Sequence, residues 1–253
     1  MRRLRIAVVT VTWLIALTGL AQSSDEAAAL LDKAYKAHAH KGKDEKLKGY
    51  RGKNKGALFV QGLELEFTQE IALQIPEKFK EVMDLSVMGQ AVKTTTVFNG
   101  KEGWIKVNAG GNNIDIPVKD EILDEFKEVV YMMTLGQFSG LKDKGLKLSL
   151  LGEVQVNGKP AVGVKISKEG KKDLDFYFDK QTNLLAKTER RARDFQSGQE
   201  LTEERIINSY HEVAGRMMPK RVTVNRDGKK LMDVEIVESR QLESIDDSEF
   251  AQP

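Results

Sequence analysis

The side chains that could do chemistry are few and far apart. The chain holds three histidines and no cysteine. His38 and His40 lie two apart, a spacing that on a helix points them to different sides, and His211 stands alone, so no metal-ligand set is legible. No Gly-rich phosphate loop leads into a helix and no Gly-x-Ser-x-Gly elbow occurs. Carboxylates are plentiful but alternate along polar strand faces, and doublets such as Asp246-Asp247 read as solvated charge rather than acid–base pairs. The expectation is a protein that is not an enzyme, with no catalytic residue, cofactor or metal.

Two other groups of residues could bind something. From Lys41 to Lys55 seven basic residues meet only Asp44 and Glu45, a net of +5. The run is either a solvated loop and strand edge or a site for anionic headgroups carried by Lys46, Lys48, Arg51 and Lys53. The second group is apolar: Leu63, Leu65, Phe67, Ile71, Phe176 and Phe178 on strands, with Phe126, Val130 and Met133 at helical spacing. These residues make either a closed hydrophobic core or a core that opens to admit a lipid. Burying Phe126, Val129, Val130 and Met133 contributes roughly 6–12 kcal/mol, and an acyl tail of about 15 methylenes would contribute about 12. A helix and a lipid tail of these sizes can exchange at little net cost.

The elements that must position these residues are mostly strands. In Lys172–Arg193, Leu174, Phe176 and Phe178 alternate with Asp173, Asp175 and Tyr177, and Asp179 to Asn183 supplies turn chemistry before Leu184 resumes an extended run. Leu63, Leu65, Phe67, Ile71, Leu73 and Ile75 occupy odd positions of a long strand, interrupted only at Gln69 and closed by Pro76. A strand of ~13 residues spans roughly 40 Å and must curve round a core. Hairpin signals at Asn99-Gly100, Gly110-Gly111, Asn157-Gly158, Ser197-Gly198 and Asp227-Gly228 separate further alternating runs. Together these predict roughly ten or eleven strands in an antiparallel meander.

Two helices break the rhythm. Ser23-Ser24-Asp25-Glu26 fits a capping box and predicts a helix starting there and continuing to about Ala39. Ile122, Phe126, Val129, Val130 and Met133 predict a second helix, with Asp120 and Glu121 in its first turn and a stop at Gly136. Strands lie on both sides of it in sequence, so it should lie across the apolar face of the sheet.

The N-terminus reads as an address. Arg2, Arg3 and Arg5 precede an apolar run from Ile6 to Ala21 that ends in Gly19-Leu20-Ala21, shorter than the ~20 residues a spanning helix needs. Residues 1–21 are therefore expected to be a signal peptide cleaved after Ala21, with 22–253 a single domain. No Cys follows the run, so the leader is not of the lipoprotein type. Removing its three arginines leaves 37 basic against 38 acidic residues, a net of −1, which speaks against nucleic acid as a partner. An exported chain without cysteine suits a bacterial periplasm.

Leader, N-terminal helix, antiparallel strands and inserted helix come with Tyr177-Phe178-Asp179, Thr182, Leu184-Leu185 and Lys187. Further on stand Ile206-Ile207-Asn208-Ser209-Tyr210, Gly215, Met218-Pro219, Val222-Thr223-Val224 and Asp227-Gly228-Lys229, then Phe250 and Pro253. The chain so described resembles the periplasmic lipoprotein carriers and lipoprotein-sorting-like proteins of the LolA/LolB superfamily. The resemblance implies an open antiparallel β half-barrel, mainly β, with the N-terminal helix and a lid-like helix over an apolar concave face. It implies a monomeric carrier that shelters acyl chains or a lipoprotein for transfer toward the outer membrane. An inner-membrane donor or an outer-membrane acceptor protein would be its partner. It also implies a buried Arg that ties the lid shut by bonding lid backbone, with Arg51 and Arg193 among the candidates. The alternative is an envelope sensor or assembly factor that uses the same fold to recognise a protein partner.

Overall fold

The computed structural model describes residues 12–38, 47–118, 120–138, 141, 145–194 and 197–253, with side chains from Ser23 onward. Helix α1 (Thr12–His38) leads into β1 (Gly49–Val60), β2 (Leu63–Gln74), β3 (Lys78–Val87), β4 (Gln90–Phe98), β5 (Gly103–Ala109) and β6 (Asn112–Pro117). Helix α2 (Asp120–Gly136) follows, then β7 (Lys147–Val156), β8 (Lys159–Ser167), β9 (Leu174–Asp179) and β10 (Leu185–Arg193). The chain ends with β11 (Glu200–Val213), β12 (Arg216–Arg226), β13 (Lys229–Leu242) and a 3₁₀ turn at Asp247–Phe250. The strands form one 13-stranded sheet in the order β6-β5-β4-β3-β2-β1-β13-β12-β11-β10-β9-β8-β7. Every ladder is antiparallel, and β6 and β7 are unpaired edges, so the sheet is open.

Thirteen strands exceed the ten or eleven expected, for local reasons. The inward positions of β1 are Tyr50, Gly52, Asn54 and Gly56, too small or polar to alternate visibly. Strands β1 and β3 also end in turns of atypical composition. The hairpins at Gln61-Gly62 and Met88-Gly89 hold both central residues at positive φ, as a type I′ turn demands, without the usual Asn or Asp. Strand β6 is exposed throughout and has no half-buried signature.

One face of the sheet carries both helices and is called the inner face below. On it, Ala27, Leu31 and Ala34 of α1 pack with Met132, Leu135 and Phe138 against Val164, Ile166, Leu174, Phe176, Phe178 and Leu185. A second inner cluster joins Phe126 and Val130 of α2 to Tyr50, Leu73, Phe79 and Phe98. The outer face holds a smaller cluster in which Phe250, buried by the 3₁₀ turn, meets Ala72, Val97 and Ile245. The sheet curls strongly about the inner face. Arg205 of β11 acts electrostatically on Glu81 of β3, although five ladders separate the two strands.

Two helix boundaries differ from expectation. Helix α1 runs unbroken from Thr12 through the Ala21–Gln22 bond, so Ser23 is not a cap, and its Oγ instead accepts from the Leu150 N–H at 3.3 Å. Helix α2 does end at Gly136, but the left-handed residue that turns the chain is Phe138, at φ 60°.

Candidate functional site

The inserted helix is held down by charge as well as by apolar contact. Glu125 lies on the buried stripe of α2 beside Phe126, and its Oε1 accepts from Arg190 Nη1 at 2.6 Å. Its other oxygen accepts from the backbone N–H of Arg193 at 3.1 Å. Arg190 and Glu125 are both nearly inaccessible, and Arg190 also donates to Glu203 Oε1 from Nη2 at 3.2 Å. Burial works against the charge on Glu203, yet the guanidinium groups of Arg205, Arg190 and Arg226 hold its carboxyl down at about 2. A buried Arg does bond the inserted helix: it is Arg190, and it reaches a side chain of α2 and not its backbone. Of the two candidates named above, Arg193 reaches α2, through its side chain to Glu121 and its backbone N–H to Glu125. Arg51 lies on the outer face, paired with Glu249 at 3.1 Å.

Helix α1 has a clamp of its own. His38 is buried: its Nδ1 bonds the Ala34 carbonyl at 2.8 Å and its Nε2 accepts from the Leu185 N–H at 3.3 Å. Its ring stacks on Phe138 at 4.3 Å, which ties the segment after α2 to α1. Desolvation pulls its pKa down to about 4, outweighing the Ala34 bond, and Arg216 adds to the fall.

Away from α2 the inner face remains apolar but is not covered. Strand register lines up Arg205, Val224, Met232, Leu58 and Leu65 as one row across β11, β12, β13, β1 and β2. The next row is Ile207, Val222, Val234, Gly56, Phe67, Leu85, Val92 and Ala109, apolar across eight strands. The tip of the Phe67 ring stands over Gly56, where an added Cβ would lie 3.0 Å from the Phe67 Cζ and 1.9 Å from the Asp233 carbonyl oxygen. Phe67 and Val224 are buried, at 3% and 5% exposure, and most of the other side chains are half-buried; Leu63, beside Leu65 at the start of β2, is 43% exposed, and Ile114 on the edge strand is 54% exposed. Ile207 packs against the helix-covered cluster, and among the described residues no helix residue shares a cluster with the rest of the two rows.

A polar belt separates the open rows from the plugged cluster. Asn54 donates from Nδ2 to Gln69 Oε1 at 2.6 Å, and Gln69 in turn donates to Glu81. Burial pushes the Glu81 carboxyl up, against the Gln69 bond and Arg205. Asn54 Oδ1 is buried and meets no hydrogen-bond partner among the described residues. Gln69 was the one residue that interrupted the alternation of β2, and the belt is the reason.

The apolar candidates therefore divide. Ile71, Phe126 and Val130 lie in the plugged cluster, Phe176 and Phe178 under the helices on the far wing, and Met133 touches both clusters. Leu65 and Phe67 belong to the open rows and Leu63 to their end. Of the basic candidates, Lys46 lies outside the described residues. Lys48 is exposed just before β1, and Arg51 and Lys53 stand on the outer face, Lys53 3.9 Å from Glu70. Arg51 and Lys53 do not share a face with the apolar rows.

No family model and no curated protein matches the chain. Solved structures do. A DUF1329 family protein from Desulfovibrio piger superposes with a TM-score of 0.53 at 10% identity, over 90% of this chain and 97% of that one. A LolA superfamily protein from Nitrosomonas europaea superposes with a TM-score of 0.50 at 11% identity, over 89% and 97%. The chain has a LolA-like fold: a mainly β, open antiparallel sheet with an N-terminal helix and one inserted helix.

Proposed function

We propose that this LolA-like chain is a non-enzymatic binding protein of the periplasm that shelters the acyl chains of a lipid or lipoprotein and carries them toward the outer membrane. The observation that carries the reading is the inner-face row from Val222 to Ala109, apolar and, apart from the buried Phe67, only half-buried beside a helix-plugged core. Monomeric proteins rarely leave a contiguous apolar surface uncovered without a ligand for it. The open rows offer the entrance; Leu63 and Leu65 are its first contacts, with Phe67 buried behind them. Helix α2, with Phe126, Val130 and Met133, closes the deeper part and yields only if the Glu125–Arg190 latch opens. Ile71, Phe176 and Phe178 line the space that opening would reach.

Export follows from the leader, with cleavage after Ala21 and residues 22–253 forming one carrier domain. Among the described residues no helix is long and apolar enough to cross a membrane. A donor in the inner membrane or an acceptor in the outer membrane would complete the transfer.

Native mass spectrometry of the chain recovered from a periplasmic fraction, before and after organic extraction, tests the reading. The expected result is an N-terminus at Gln22 and an adduct of lipid mass that extraction removes. A chain free of lipid, and unchanged in melting point when lipid is offered, would overturn it.

A further inference from the structure

Three guanidinium groups converge on one buried carboxylate. Glu203 Oε1 accepts from Arg190 Nε and Nη2 at 3.4 and 3.2 Å and from Arg205 Nε and Nη2, both at 3.3 Å. Its Oε2 accepts from Arg226 Nε and Nη2, both at 3.3 Å. Two of the three cations have a second carboxylate: Glu125 lies 2.6 Å from Arg190, and Asp194 lies 3.5 Å from Arg226. Arg205 has only its share of Glu203, and among the described residues its Nη1 meets no acceptor. The other carboxyl within electrostatic reach is Glu81, which burial pushes toward its neutral form.

The position of Arg205 matters as much as its charge. Its side chain is 37% exposed, while those of Arg190 and Glu203 are almost inaccessible. From Arg205, which Thr188 flanks on its other side, the inner-face row continues over the buried Val224 to half-buried Met232, Leu58 and Leu65. Four inter-strand steps cover about 19 Å, the length scale of an extended acyl chain. A cation whose fork is oriented by Glu203, with free donors facing an apolar track of that length, matches an amphiphile with one anionic end.

We propose that Arg205 is the anchor for a phosphate or carboxylate headgroup whose acyl chain lies along Val224, Met232, Leu58 and Leu65. The ligand class is an anionic single- or multi-chain lipid, and the inference rests on the reading of the open rows as a lipid site. Glu203 is a positioning residue: it holds the Arg205 fork and touches no ligand. Arg226, turned to Glu203 and Asp194, lends charge but no free donor fork.

The test compares two amphiphiles of the same chain length, lysophosphatidylglycerol and monoacylglycerol, with inorganic phosphate as a third probe, by calorimetric titration of the full mature chain. Wild type should prefer the anionic lipid by about tenfold, the scale of one charged hydrogen bond. Arg205→Gln should erase that preference and leave monoacylglycerol binding unchanged, which also shows that the variant is folded; Glu203 keeps two of its three cations. Arg205→Lys should restore part of the preference. Equal binding of both amphiphiles by wild type overturns the anchor while the lipid site stands. Binding of neither overturns the lipid site itself, and phosphate bound as tightly as the lysolipid makes Arg205 a free-anion site and overturns the headgroup assignment.

Discussion

On one half of the inner face Phe126 and Val130 of α2 cover Leu73, Phe79 and Phe98; on the other half Leu58, Leu65, Leu85 and Met232 stand half-buried with no described helix above them. Both halves are built from the same strands, β1 to β4 running through each, and from the same period-2 alternation. What differs is the covering and its attachment. The plugged half is closed by apolar contact reinforced with the buried Glu125–Arg190–Glu203 triad, and the belt of Asn54, Gln69 and Glu81 marks where the covering ends. One surface thus serves as a core where the chain supplies a helix and as a docking track where it does not. The stability of the fold should reside in the first half and its response to ligand in the second.

The largest expected effect lies in the latch. Arg190→Ala leaves Glu125 and Glu203 buried with less compensation, and breaking such a pair costs about 3–5 kcal/mol. Arg190→Met, with Glu125→Leu added, should recover much of the loss, since replacing both partners by apolar groups of similar volume is often neutral. Urea denaturation of the three chains decides. If Arg190→Ala costs under ~1 kcal/mol, α2 is held by apolar contact alone and the contrast between the halves loses its electrostatic part.

The next effect is pH-dependent and also belongs to the covered half. His38 has a folded pKa of about 4 against 6.5 when free, so the folded state binds its proton less well than the unfolded chain. Its contribution is fully present above about pH 6.5 and is lost as pH falls toward 4. A shift of this size corresponds to at most about 3 kcal/mol. Denaturation midpoints at pH 7, 5.5 and 4.5 should fall for wild type more than for His38→Gln. Parallel curves would mean that His38 is not what couples α1 to Leu185 and Phe138.

How much of this could be read in the residues depended on whether face and type agreed. The alternation of β2 and the helical stripe of α2 are apolar on the face that is buried, so both elements and their packing were legible. Strand β1 was not, because Gly52, Asn54 and Gly56 carry its inward face; nor were the turns at Gln61 and Met88, where the conformation is typical and the residue is not. The latch was passed over although a signal existed. In Lys187–Arg193 the charged residues fall at odd positions beside Thr188 and Ala192, and Arg190 is the single charge on the quieter parity. Glu125 likewise interrupts an apolar helix stripe and Glu203 an apolar strand face. A charge set among inward-facing positions implies a partner, but pairing one from β10 with one from α2 required the tertiary fold.

A smaller effect is expected at the open end. Met88 is 91% exposed and holds φ at 51°, a left-handed conformation that costs a residue with a Cβ about 1–2 kcal/mol. Asn tolerates it, so Met88→Asn should raise stability by up to about 1 kcal/mol. A loss would mean that Met88 makes a stabilising contact despite its exposure.

The smallest effect on stability separates the halves most sharply. Leu63, 43% exposed at the end of the open rows, should tolerate Leu63→Ser within about 0.5 kcal/mol, because little apolar area is returned to water. Phe126→Ala in the plugged half should cost ~3–5 kcal/mol instead. Added lipid should reverse that ranking. A ligand that binds only the native state raises stability by RT ln(1 + [L]/Kd), so a side chain that touches the acyl chain lowers this increment without lowering the baseline. Leu63→Ser and Leu65→Ser should therefore show near-wild-type melting without lipid and a diminished rise with it, whereas Phe126→Ala should melt early yet rise at least as much as wild type. Melting curves at several lipid concentrations check both. If Phe126→Ala alone loses the lipid-dependent rise, the ligand enters beneath α2 and not along the open rows, and the two halves exchange the roles given to them here.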